Sequence, residues 1–77
     1  MTPQLLDVVV LLRDLPGEGL QAGDLGTVVE LLDVSVFEVE FVAASGRTQA
    51  LVTLTATDIR PVSDDDLVSV RPTRAAR

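Results

Sequence analysis

Cysteine, histidine, lysine, tryptophan and tyrosine are all missing from this chain, and its aromatic content is limited to Phe37 and Phe41. Each absence removes a kind of chemistry. Without cysteine there is no disulfide, and without cysteine and histidine there is no ordinary zinc site, so a chain of 77 residues must be held by apolar packing or by association. The hydroxyls of Ser35, Ser45, Thr48 and Thr53 have neither a histidine nor a lysine to activate them, which leaves nucleophilic catalysis little to work with. No apolar run approaches the roughly 20 residues that cross a bilayer. The opening Met1-Thr2-Pro3-Gln4 lacks the basic segment and small-residue cleavage site of a signal peptide, so the expected location is the cytoplasm, with no membrane partner.

What is present is aliphatic and acidic. Hydrophobic residues make up 47% of the chain, nearly all Val, Leu, Ile and Ala, a composition suited to strand faces. The net charge of −6 lies entirely in the first 62 residues, where nine acids face Arg13, Arg47 and Arg60. Beyond them Asp64-Asp65-Asp66 is offset by Arg71, Arg74 and Arg77. The expected division is therefore a body over 1–62 and a flexible or conditionally ordered tail over 63–77. A body this acidic repels phosphate backbones, which argues against nucleic acid.

Five strands can be read along the body. Asp7 to Leu12 is a β-branched run ended by the turn residues Pro16 and Gly17. A long loop over 13–25 leads to a second strand over 26–32. Phe37-Glu38-Val39-Glu40-Phe41-Val42 alternates cleanly, which sends Phe37, Val39 and Phe41 to the core and both glutamates to water. A hairpin at Gly46 returns the chain as a fourth strand over 48–54. Thr55 to Asp58 reads as one helical turn capped by Thr55 or Thr57, and Ile59 to Val62 as a last strand whose Pro61 suits only an edge. This order of elements predicts an all-β fold, a small five-stranded SH3-like barrel with one short 3-10 turn before the last strand.

Gly19-x3-Gly23-x2-Gly26-x-Val28 resembles the KOW motif of ribosomal proteins and transcription elongation factors. Those proteins tend to carry basic residues where this chain has Gln21, Ala22 and Asp24, so the glycines look architectural. Over residues 5–62, Leu6-Asp7-Val8-Val9, Asp14-Leu15-Pro16, Gly23-x2-Gly26-Thr27-Val28-Val29-Glu30, Phe37-Glu38-Val39-Glu40-Phe41, Gly46, Leu51-x-Thr53-Leu54 and Pro61 are similar to a further family. It consists of small, mostly bacterial stand-alone proteins catalogued as a numbered domain of unknown function. That resemblance implies a fold and a size but no chemistry.

Candidate sites are few. Asp64-Asp65-Asp66 lacks the spaced ligands and turn glycine of a calcium loop, and reads as a solvated tail; no metal or cofactor is expected. Glu38 and Glu40 share a strand face but have no evident means of separating their pKa values, as an acid/base pair would need. Without Trp or Tyr there is no aromatic groove for proline-rich peptides. The runs 8–12 and 28–32 are apolar on both strand faces. Either a loop or the tail covers the second face, or an outward apolar patch marks a contact with a second copy or another protein. Leu67, Val68 and Val70 could also pair against a sheet edge.

The function expected is a non-enzymatic protein-interaction module, of the kind found as an antitoxin or immunity protein or as an accessory subunit. Val9, Leu11, Val29 and Leu31 would supply apolar contact, and Glu38 and Glu40 an acidic rim that selects a basic protein partner. The alternative is a KOW-like nucleic-acid binder using the arginines of the tail.

Overall fold

The computed structural model describes residues 2–73. Five strands form one antiparallel sheet: β1 (Val8–Leu11), β2 (Leu25–Asp33), β3 (Val36–Val42), β4 (Thr48–Thr55) and β5 (Ile59–Pro61). Their spatial order is β4-β3-β2-β1-β5, a meander whose last strand returns beside the first. The all-β class and the five strands follow the sequence reading. The expected barrel is not closed by hydrogen bonds, because β4 and β5 are separate edges. Among the described residues no helix is long and apolar enough to cross a membrane.

One face of the sheet carries the core. Val9 and Leu11 of β1, Val28 of β2, Phe37, Val39 and Phe41 of β3, Ala50 and Leu54 of β4 and Ile59 of β5 meet there, joined by Leu20 from the long loop. The period-2 alternation of β3 explains its share: inward Phe37, Val39 and Phe41 are buried, while Glu38 and Glu40 between them are half-exposed.

In β2 the alternation fails for a local reason. The strand pairs with β1 through Leu25, Gly26 and Thr27, and with β3 from Thr27 onward. Its register slips between Val28 and Glu30 and again between Leu31 and Asp33. At a bulge two residues oppose one, so the doublets Val28-Val29 and Leu31-Leu32 mark slips in the ladder and not a strand apolar on both faces. Gly26 lies between these strands and the core. A Cβ there would meet Val39 Cγ1 at 2.6 Å and Phe41 Cε2 at 2.8 Å, so the glycine allows close packing.

The 3-10 helix occurs at Pro16–Glu18, inside the long loop, where Pro16 presets the first φ and Gly19, left-handed at φ 72°, stops it. The segment before β5 is a hydrogen-bonded turn, in which the Asp58 N–H donates to the Thr55 carbonyl at 2.9 Å. The last strand stops at Pro61, one residue short of expectation, since proline has no N–H to extend a ladder.

Candidate protein-interaction face

Four turns of the molecule close in the same way. Asp7, Asp24, Asp58 and Asp66 each donate their N–H to the carbonyl three residues earlier, at Gln4, Gln21, Thr55 and Ser63. Each carboxylate in turn accepts the N–H of that earlier residue, at 2.8, 2.9, 3.0 and 2.8 Å respectively. The short aspartate side chain suits this reciprocal closure. Three of the four stand immediately before a strand, at the entries to β1, β2 and β5.

Three of these aspartates also engage an arginine. Arg13 Nε donates to Asp58 Oδ1 at 2.8 Å, and Arg60 reaches both oxygens of Asp66 at 2.8 and 2.9 Å. Arg71 donates to both oxygens of Asp24 and to the Gly19 carbonyl. Hydrogen bonds from Arg13 and from the Thr55 N–H hold the Asp58 carboxyl below the usual range. Those from Arg60 and the Ser63 N–H depress Asp66 further. At Asp24 burial pushes upward, but the bonds from Arg71 and the Gln21 N–H, with the arginine charge, outweigh it and leave the group lowered.

Two of these pairs, Arg60 with Asp66 and Arg71 with Asp24, attach the described part of the tail. Residues 63–73 contain no regular element, and Leu67, Val68 and Val70 make no strand pairing and are 95, 75 and 96% exposed. Charge therefore attaches the segment more than apolar packing does. Between it and the outward side of β1 and β2 lies a groove of about 800 Å³, lined in part by Val10, Leu25, Val42, Val62 and Leu67. Val10 is buried outside the main core, opposite Leu25 and Arg60.

On the outward face, register brings the glutamates together. Glu30 of β2 stands opposite Glu38 of β3, which stands opposite Thr53 of β4. A neighbouring row runs Val8, Thr27, Glu40 and Leu51 across β1 to β4. The Thr53 hydroxyl donates to Glu38 Oε1 and the Thr48 hydroxyl to Glu40 Oε2, both at 2.6 Å. Among the described residues no arginine pairs with Glu30, Glu38 or Glu40: Arg13, Arg60 and Arg71 are taken by turn aspartates, and Arg47 donates to the Gln49 side-chain oxygen. Like charges directly opposite on adjacent strands oppose folding slightly.

The six residues expected to meet a partner divide. Val9 and Leu11 are at 0% exposure in the core, a correction: alternation in β1 points them inward, and the exposed apolar residues of that segment are Val8 and Leu12. Val29 is half-buried at the first bulge, and Leu31, opposite Phe37 at the end of the sheet, is 48% exposed. Glu38 and Glu40 share the outward face, with Leu51 beside them at 54%. Sequence reasoning missed Glu30, Leu51 and the two threonines, which join the face through pairings between strands. Of the basic tail, Arg71 is bound to Asp24, and Arg74 and Arg77 lie outside the described residues.

These features define a small all-β domain with an open five-stranded sheet, a core on one side and an acidic, partly apolar face on the other. The chain belongs to the family described as Domain of unknown function (DUF4926), which matches residues 5–61. No curated protein and no solved structure matches it.

Proposed function

We propose that this protein is a non-enzymatic interaction module with an SH3-like strand arrangement, binding a basic protein through the outward face of β2, β3 and β4. The observation that carries this reading is the row Glu30, Glu38 and Thr53, beside Glu40 and Leu51, in which three carboxylates stand together with no cation of the described residues paired to them. Such an arrangement costs the isolated domain stability and is offset when a partner brings positive charge. Exposed Leu51, in the same row as Glu40, supplies apolar contact on this face, and the negative field speeds encounter. Such a face would suit an antitoxin, an immunity protein or an accessory subunit.

The test is affinity capture from the source cell with the wild-type protein and with a Glu38→Lys, Glu40→Lys variant that keeps its fold by circular dichroism. A stoichiometric basic protein retained by the first and lost by the second supports the reading. Equal capture by both, or none by either, counts against it.

A further inference from the structure

The two edges of the sheet are unlike. β5 has three residues, carries Arg60 and ends at Pro61, all features that discourage strand addition. β4 has eight residues, Thr-Gln-Ala-Leu-Val-Thr-Leu-Thr, without a charge or a proline. It pairs with β3 alone, and no backbone group from residue 48 to 54 bonds to any other described segment. At its start the Gln49 amide donates to the Glu18 carbonyl at 3.2 Å, so the long loop rests there and the open run lies beyond, from Ala50 to Leu54.

Charge leans toward this same edge. Thr53 and Thr48, both on β4, hold the carboxylates of Glu38 and Glu40 by their hydroxyls. Two negative groups rooted on β3 are thus drawn over the outward side of an uncharged strand whose outer backbone edge is unpaired among the described residues.

We propose that the β4 edge receives an extended strand of another protein carrying arginine or lysine at alternate positions, aligned so that its cations meet Glu38 and Glu40. The inference rests on the interaction reading above and names the partner's form. Main-chain hydrogen bonds to the open run supply affinity, and alternate side chains supply selectivity. Residues two apart on the added strand share a face, and those opposite Thr53 and Leu51 point outward. From there a long basic side chain crosses β4 toward the glutamates, its stem lying along exposed Leu51. A second copy of this chain fits poorly. It has no lysine, and no two of its six arginines are two residues apart. Pairing two β4 edges would also bring together the glutamates that lean over them.

The test uses the full-length, isotopically labelled protein and a short peptide alternating arginine with valine. Amides from Ala50 to Leu54 should shift and gain protection from exchange on titration. The same peptide methylated at alternate backbone nitrogens should not bind. Glu38→Gln and Glu40→Gln should each weaken binding about two- to fivefold, the size of one exposed ion pair. The inference is overturned if the methylated peptide binds equally well, if neither binds at low salt, or if the shifts fall in the groove beside Val10 and Leu25. It is also overturned if protection of residues 50–54 rises with protein concentration alone, which would make the occupant a second copy. Should a cellular partner depend on Glu38 and Glu40 while these amides stay silent, the interaction reading stands and the strand-addition inference falls.

Discussion

Arg71 and Asp24 lie 47 residues apart in sequence and meet through both carboxylate oxygens, with Arg71 Nε to Asp24 Oδ1 at 2.9 Å. The same aspartate closes the turn that starts β2, so one carboxylate both shapes the entry to a strand and moors the segment that follows the last one.

Removing the cation should free that segment without unfolding the body. In Arg71→Gln, amide exchange between Leu67 and Arg71 should quicken, while the global unfolding midpoint stays close to that of the wild type, because exposed ion pairs contribute little. Hydrogen exchange read by mass spectrometry checks this, and unchanged exchange over that stretch would show that other contacts hold it.

Acid should weaken the fold through the turn aspartates. Asp24, Asp58 and Asp66 are all held below their ordinary 3.8 in the folded state. A carboxyl depressed in this way contributes stability above its unfolded pKa and loses it as pH falls toward the folded one, so stability should decline below about pH 4. Asp58→Asn should be less stable than wild type at neutral pH, and the gap should close in acid. Urea midpoints across pH decide this; a constant gap would mean that ionisation of Asp58 contributes nothing.

Gly23, in the loop before β2, and Gly26, inside β2, should respond differently to alanine. Gly23 sits at φ 99° with nothing near its missing Cβ, so Gly23→Ala carries only backbone strain, about 1 kcal/mol. Gly26→Ala drives a methyl into Val39 and Phe41 and should cost about 1–3 kcal/mol with a shifted core. Denaturation midpoints rank them, together with the methyl resonances of Val39, which should move only for Gly26→Ala.

Among the described residues Leu6 is the non-glycine residue with positive φ, at 71°, in the turn closed by Asp7, and its side chain is mostly exposed. Leu6→Gly should therefore raise stability by about 0.5–1 kcal/mol, the relief of left-handed strain less the added freedom of the unfolded chain. A lowered melting temperature would show that the leucine packs usefully.

Neighbours at the end of β1 should differ most sharply. Leu11→Ala should cost about 2–5 kcal/mol, because the residue is fully buried, and Leu12→Ala within about 0.5 kcal/mol. Comparable losses at both positions would contradict the facing of the strand.

How much of this was legible depends on where alternation is intact. β3 could be read residue by residue, because Phe37 to Val42 obeys a period of two and faces solvent on one side. β1 could be located but not oriented, since Val10 is buried on the face opposite Val9 and Leu11, beside Arg60 and the tail groove. β2 was obscured by its bulges, which place adjacent valines and leucines where a regular strand would alternate. Of the outward face, Glu38 and Glu40 were legible as a spacing, whereas Glu30, Thr48, Thr53 and Leu51 joined them through register, which no single segment encodes. The aspartate turns left a faint trace, an acid directly before an apolar run, at Asp7, Asp24 and Asp58.

If β4 accepts a strand as proposed, the asymmetry between β4 and β5 would also set a stoichiometry. A sheet with two receptive margins polymerises, since each added unit offers a fresh site to the next. Here Pro61 closes one margin, so on the strand-addition proposal a strand accepted at the other would fill the growth point that β4 offers. Association along the sheet then ends at one copy of each protein, and any larger assembly has to be built from surfaces the partner brings.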